Sequence, residues 1–390
     1  MKKKLKDVIS KEFKGLWGTD FSDDGIPVIK TNNMTYEGRI DYSDICLRNI
    51  TSEEAEENFL CNGDLIIEKS GGTKTHSVGY VNIFEGEDNK YVCNNFILPI
   101  RPNRDLVNPK YLFWQLHGMY EAGRFSDCFN KTTGIQNLQK KTYFSKEINV
   151  PTLPEQQKIA AHLDSIQSAI DNKKQQLQQL DELVKSKFVE MFGENPVESG
   201  KWKVEKLSSI CKVQTGGTPS RMHPEYFEGN IPWITTANLG VNELNYDDAM
   251  EYITQEAVDN SATKIIPAHS LFIGIRVGVG KCSINNVDMC SNQDICGLSG
   301  FDVARTNLLF VKKVIDSYED YFDNAKRGTT IKGVKSDTIK ELKIFLPEIE
   351  LQTTFAEYVQ KIDSAKSIIK TQLEDLQELL DSKMDEYFGE

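Results

Sequence analysis

The sequence predicts an α+β protein: two mixed α/β globules joined by two long helices that form an antiparallel coiled coil, in a pseudo-two-fold internal repeat. Three observations predict it. First, "KTTGIQNLQKKTYFSKEINVPTLPEQQKIAAHLDSIQSAIDNKKQQLQQLDELVKSKFVEMFG", ending at Gly193, recurs without a gap as "RGTTIKGVKSDTIKELKIFLPEIELQTTFAEYVQKIDSAKSIIKTQLEDLQELLDSKMDEYFG", ending at Gly389, 196 residues on. Second, each copy closes on a long stretch with apolar residues every seven positions. Third, the blocks ahead of each copy repeat more faintly, "GIPVIKTNN" (25–33) being echoed by "NIPWITTAN" (230–238).

In chain order the elements are a first globule over 1–150, a long helix over 151–195, a second globule over 196–346 and a second long helix over 347–390. In the first globule "GDLIIEKSGGTKTHSVGYVNI" (63–83) reads as strand, small polar turn and strand, with Lys69, Gly71, Gly72 and Lys74 at the turn. Its partner is "HSLFIGIRVGVGKCSI" (269–284), so that Leu65-Ile66-Ile67 matches Leu271-Phe272-Ile273, and Cys93-Asn94-Asn95 lies opposite Cys290-Ser291-Asn292. The glycine run 274–280 is no phosphate-cradling P-loop. Ile275 stands where the first glycine is needed and Cys282 where the hydroxyl is needed, and no G-x-G-x-x-G can be laid over it.

The first helix starts after Pro151 and Pro154, since proline is tolerated only at a helix start. Leu163, Ile170, Leu177, Val184 and Met191 form one seam position; Ile159, Ile166 and Leu180 form the other, interrupted by Lys173 and Lys187. In the second helix Val359, Leu373, Leu380 and Tyr387 form the first seam position, with Lys366 intruding, and Phe355, Ile362, Ile369 and Leu376 form the other. Gly193 and Gly389 suit left-handed C-terminal caps. Because the termini of a domain usually lie together, the second helix starts near the end of the first and the pair runs antiparallel. The rod is then about 50 Å long, with a globule at each end and an approximate dyad between them. The lysines leave apolar shoulders for partner helices to cover.

Composition bounds the rest. The chain has 390 residues, 39% hydrophobic and 27% charged, as expected of two or three soluble domains. No apolar run reaches membrane-spanning length. The N-terminal "MKKKLKDVISKEF" lacks the apolar core of a secretory signal. The eight cysteines form no C-x-x-C and meet no histidine pair at ligand spacing. They read as reduced thiols in a cytoplasmic protein with no metal site. A net charge of −12 argues against a general polyanion binder, though not against local basic patches.

Two similar heads on a stiff rod suit a ligand in two parts, and duplex DNA is the natural one, since its symmetry matches a pseudo-dyad protein reading two half-sites. The loops carry suitable groups. In head 1 these are Lys30, Asn32 and Asn33 at a strand end, Lys69 and Lys74 in the hairpin, and Lys131 and Thr133 before the rod. In head 2, "VQTGGTPSRMHPEYF" (213–227) clusters Gly216, Gly217, Thr218, Ser220 and Arg221, small or polar groups beside which a phosphate could sit. Thr235, Thr236 and Asn238 end a strand, Arg276 and Lys281 lie in the glycine-rich hairpin, and Arg327 and Thr329 precede the second helix. Asn and Arg can read base edges bidentately.

These residues resemble a known family. "TGGTPSR…PEYFEGNIPWIT", "TTIKGV…LKIFLPEIELQ" and "TTGIQNL…INVPTLPEQQKIAAHLDSI" are similar to the DNA-specificity (S) subunit of type I restriction–modification systems, over essentially the whole chain. The resemblance implies two target-recognition domains, each reading half of a split DNA site, and helices that set the gap. It further implies that the helices dock two methyltransferase (modification) subunits, to which restriction (translocase–nuclease) subunits add. It implies no catalysis and no cofactor on this chain, with S-adenosylmethionine, ATP and magnesium held by the partner subunits. Head 1 departs from the pattern, with "KEFKGLWGTDF" where head 2 has "QTGGTPSRMHPEYF".

The residues themselves agree on catalysis. No Asn/Asp-Pro-Pro-Tyr/Phe motif for amino methylation is present. Asp64, Glu68 and Lys69 lack the acid-x-Lys spacing of common metal nucleases, and Asp64 stands in a turn context. A metal nuclease built on Asp64 and Glu68, a scaffold whose heads bind proteins, and a methylation-only or other defence system remain as alternatives.

Overall fold

The structure, a computed structural model, describes residues 1–390 except 20, 74, 133–134, 326–332 and 390. It divides into two compact units, Met1–Gln175 with Ile369–Glu390, and Gln176–Ile368. Both long helices cross from one unit to the other. Each unit therefore holds one head, a part of the first helix and a part of the second.

In the first unit the run Leu65-Ile66-Ile67 is fully buried. It lies in a four-stranded antiparallel sheet ordered Ile9–Glu12, Ile97–Pro102, Leu65–Glu68, Val81–Ile83. An apolar run without alternation needs cover on both faces, and Leu65 and Ile67 join one hydrophobic cluster while Ile66 joins another with Ile29, Leu60 and Phe84. The helix Pro109–Glu121 packs against this sheet. It starts at Asn108, whose side chain accepts a hydrogen bond from Tyr111 N at 3.1 Å. Its buried face, including Tyr111, Leu112 and Leu116, continues into Leu163, Ile166 and Ile170 of the first long helix and Leu380 and Phe388 of the second. A smaller sheet orders Cys46–Arg48, Phe21–Ile29, Val92–Cys93, the last two strands parallel.

The second unit repeats this plan. A five-stranded sheet is ordered Lys212–Thr215, Ile295–Ser299, Ser270–Gly274, Cys282–Asn285, Glu243–Leu244. A three-stranded sheet is ordered Glu251–Ile253, Ile231–Ile234, Cys290–Ser291. The glycine run of 272–284 is a strand, turn and strand, with Ile273 opposite Cys282 and the turn carried by Gly278 and Gly280 at φ 63° and 88°. The helix Leu308–Asp316 is capped by Asn307, which accepts from Leu309 N and Phe310 N at 3.0 and 3.2 Å. Phe192, closing the first long helix, stands 5.3–5.5 Å from the rings of Phe310, Phe345 and Phe355. The end of that helix is thereby anchored in this core.

The long helices run Leu153–Phe192 and Ile349–Phe388, 40 residues each. Pro154 therefore sits inside the first turn, not ahead of the helix; no intrahelical N–H is needed there. In the second unit Asp181 pairs with Lys366 while Phe188 packs on Phe355 at 5.6 Å, so the helices run antiparallel there. In the first unit His162 Nδ1 and Tyr387 Oη are 2.8 Å apart. Burial follows the heads as much as the heptad. Leu163, Ile170, Phe355 and Val359 are buried, whereas Leu177, Leu180, Ile369 and Leu373 are only half-buried. Where only the two helices meet, away from the heads, the seam is left partly open. Gly193 takes the expected left-handed cap, at φ 92°. Gly389 stays outside that region, and its N–H bonds to Asp385 O at 2.8 Å, the ordinary helical partner.

The two heads share particular backbone features. Lys30 N donates to Asn33 Oδ1 at 2.9 Å, and Thr235 N donates to Asn238 Oδ1 at the same distance, each closing a short 3-10 turn after its strand. One expected alignment needs correction. Ile29 pairs with Cys93 and Ile234 with Ser291, so Cys93 is the counterpart of Ser291, not of Cys290. Likewise Asn94 N bonds to Ile29 O and Asn292 N to Ile234 O. Matching the two cysteines by identity put the alignment one residue off, whereas the strand pairing fixes which positions are equivalent.

Candidate nucleic-acid interface

In head 2 the strand Lys212–Thr215 runs into Gly216 and Gly217, which cross directly over a neighbouring chain segment. A Cβ on Gly216 would overlap the carbonyl oxygens of Ser291 and Asn292, and one on Gly217 would overlap Thr263 N. The expected reason for these glycines was the approach of a phosphate. The structure gives protein backbone as the close neighbour, which alone requires glycine here. Thr218 then bonds to the side chain of Gln293, and Arg276 of the hairpin reaches Asp294 at 3.0 Å. The segment Ser291–Asp294 thus gathers Gly216, Gly217, Thr218 and Arg276 at one place.

Arg221 lies in a second group. Its guanidinium makes a fork to Glu251 at 2.5 and 2.7 Å, over the rings of Phe227 at 4.1 Å and Trp233 at 5.6 Å. The hydrogen bond from Arg221 holds the Glu251 carboxyl below the usual glutamate range. Half of the Arg221 side chain stays exposed. Ser220 is exposed, and its hydroxyl accepts from Met222 N at 3.3 Å. Thr235 and Thr236 are half-buried beside Asn238, whose amide donates to Asp248 O at 2.8 Å. Lys281 is exposed, its stem lying against Gly278.

In head 1 Lys30 meets Asp44 at 3.0 Å, and Asn32 is exposed. Asn33 is buried, and its amide donates to the carbonyls of Asp41 and Asp44 at 3.1 and 3.0 Å. Its side chain therefore shapes the turn. Lys69 is half-buried; burial, and secondarily the repulsion of Lys140, pushes its ammonium below the ordinary lysine range. Lys74, Thr133, Arg327 and Thr329 lie outside the described residues, as does the side chain of Lys131.

Sequence reasoning missed one pair in head 1. Leu16 N donates to Cys93 O at 2.7 Å, just as Gly217 N donates to Ser291 O at 2.8 Å. The loop "KEFKGLWGTDF" therefore follows the path of the head 2 loop, with Gly15 at the place of Gly216 and Trp17 at that of Thr218. Arg48 lies 4.5 Å over the Trp17 ring and donates from Nε to the Trp17 carbonyl at 3.0 Å. Each head thus carries an arginine on an indole, Arg48 on Trp17 and Arg221 on Trp233, with the two residue types contributed by different segments. The one available signal was Trp17 after Gly15, and it is invisible until the loops are superposed.

Asp64 is fully buried. It accepts from Arg101 Nε and Nη2 at 2.8 and 2.7 Å and from Cys61 N at 2.7 Å, and its own N–H closes a turn onto Cys61 O. A carboxylate so occupied is unavailable to a metal. Glu68 is buried beside Gly72 N, and burial raises its carboxyl.

Among the described residues no helix is long and apolar enough to cross a membrane. The family described as type I restriction modification DNA specificity domain matches the chain twice, over residues 1–182 and 199–378. A specificity subunit of a type I restriction enzyme from Methanocaldococcus jannaschii is 28% identical over 179 residues, 46% of this chain and 41% of that protein. A putative one from the same organism is 21% identical over 96% of this chain and 89% of its own length. One from Escherichia coli is 33% identical over 46% of this chain and 44% of that protein. The first and third matches thus span less than half of those relatives. The solved S subunit of a type I restriction-modification system from M. genitalium has the same fold, with a TM-score of 0.57 at 14% identity, over 98% of this chain and 94% of that one. With both repeats matched, the chain belongs to the type I restriction modification DNA specificity domain family.

Proposed function

We propose that this chain is the noncatalytic specificity subunit of a type I restriction–modification complex. Each head reads one half of a bipartite duplex sequence, and the paired helices set the gap. The observation that carries the reading is the double family match, one over each head, combined with the equivalent loops those heads present. In head 2 the contact surface is Thr218, Ser220, Arg221, Arg276 and Lys281; in head 1 it is Lys30, Asn32 and Lys69. They place cationic and hydroxyl groups on the loops of a chain whose net charge is −12, with Lys30, Arg221 and Arg276 each held by a carboxylate from which a phosphate or base edge would have to draw them.

The partners are two methyltransferase subunits, with restriction subunits added to them, in a cytoplasmic complex. S-adenosylmethionine, ATP and magnesium belong to those partners. Exposed apolar groups on the helices, Leu183 and Ile368 in one unit and Leu379 in the other, support docking of other chains there. The relatives from Methanocaldococcus jannaschii and Escherichia coli, themselves specificity subunits, point the same way.

Methylome sequencing of cells with and without the chain tests this directly. A split motif that vanishes with the chain supports it; an unchanged methylome sinks it. Within that test, Arg276→Ala or Arg221→Ala relaxes one half-site only, by about 1–3 kcal/mol for a lost base contact. Inserting one heptad into both helices lengthens the gap.

A further inference from the structure

We infer that Gln156 and Gln352 are positioning residues that fix the angle at which each head is carried on its long helix, and so hold the accepted half-site spacing to a narrow range. The inference rests on the DNA reading above and goes beyond it by naming what sets the geometry. Both glutamines are fully buried in the first turn of a long helix. Gln156 Oε1 accepts from Asn108 N at 2.7 Å, and its Nε2 donates to Leu106 O and Pro151 O at 3.1 and 2.9 Å. Gln352 Oε1 accepts from Asn307 N at 3.0 Å, and its Nε2 donates to Arg305 O and Pro347 O at 2.9 and 2.7 Å. Each amide thus ties three backbone groups, two in the head just before its capped helix and one at the entry to the long helix. The hydrophobic effect is non-directional, whereas hydrogen bonds to a planar amide add an angular constraint to the packing.

A single tie still permits pivoting, and each head has a second one. Arg39, on a head 1 loop, pairs with Asp171 of the first long helix at 2.6 Å. Asn242, on the corresponding head 2 loop, donates to Asp363 of the second long helix at 2.5 Å. The loops correspond because Asn82 bonds Thr35 O and Arg39 O from one hairpin strand, and Ser283 bonds Val241 O from its counterpart. From Gln156 to Asp171 is about 22 Å along the helix, and from Gln352 to Asp363 about 16 Å. Two ties separated along a rigid rod define an orientation. Their recurrence in both units, built from different residue types at the outer position, marks orientation as the property maintained.

The test uses the full chain assembled with its methyltransferase subunits, on duplexes carrying the methylome-defined half-sites with the gap varied one base pair at a time. The wild type prefers one gap. Gln156→Met keeps the side-chain volume and removes all three hydrogen bonds. Its discrimination against gaps one base pair off falls roughly tenfold, while recognition within each half-site is kept. Arg39→Ala acts at the half-exposed outer tie and broadens the same profile without emptying a buried site, so the test stands if Gln156→Met does not fold. A purely structural role would lower the melting temperature and leave the gap profile sharp. An unchanged profile in whichever variant folds overturns the inference. A wild type with no gap preference overturns the DNA reading instead, a result that needs no variant.

Discussion

Gly15 faces Asn94 so closely that a single methyl group would overlap the Asn94 carbonyl oxygen. Gly216 stands in the same relation to Asn292. This repeated close approach is where the loop entering each smaller sheet crosses the segment leaving it. Gly15→Ala and Gly216→Ala are therefore each expected to destabilise their own head by about 1–3 kcal/mol, as overpacking does. Amide hydrogen exchange resolves the effect by head. Equal loss of protection in both heads from one substitution would contradict it.

Asn108 and Asn307 cap the helices that receive the two buried glutamines. Replacing either by alanine removes a side-chain acceptor from the first helical turn and costs about 1 kcal/mol. Denaturant titration should show similar losses for the two variants, since both caps serve the same architecture.

The Arg101–Asp64 pair belongs to head 1 alone. Arg101→Met leaves Asp64 fully buried with an unpaired charge, an expected loss of about 3–5 kcal/mol. Adding Asp64→Asn to that variant should recover part of the loss, because the neutral amide needs no counter-charge. A double variant no more stable than Arg101→Met would refute this.

Glu68 gives a pH dependence of known sign. Burial raises its folded-state pKa above the ordinary glutamate range, so the folded protein holds this proton more tightly than the unfolded chain. Its contribution is fully present below that ordinary value and is lost as pH rises through the raised one. Glu68→Gln keeps an oxygen for Gly72 N and removes the charge. It should raise the melting temperature at neutral pH by a few degrees, with the difference shrinking toward zero below the usual glutamate range.

Lys366 interrupts the apolar seam but reaches Asp181, whose side chain is mostly exposed. Pairs of this kind contribute about 0–1 kcal/mol. Lys366→Leu is expected to be neutral or mildly stabilising in thermal unfolding, and a loss above about 1 kcal/mol would show that the ion pair matters more than the seam.

What the sequence determined by itself is the part written in local, periodic terms. The 196-residue offset and the two long helices starting behind their prolines follow from spacing along the chain. Heptads, helix starts and caps depend on neighbours within a turn or two, so one strand of text carries them. The strand at Leu65-Ile66-Ile67 was legible for the same reason.

The tertiary structure alone decided the rest. It made Gly15 the partner of Gly216 despite unlike loops, moved Cys93 onto Ser291, tied Arg221 to Glu251, and set Arg48 on Trp17. It also gave Gly216 and Gly217 to the protein's own backbone. Each of these joins residues brought together by sheet register and chain crossing, and contacts of that kind leave no period in the sequence from which to read them.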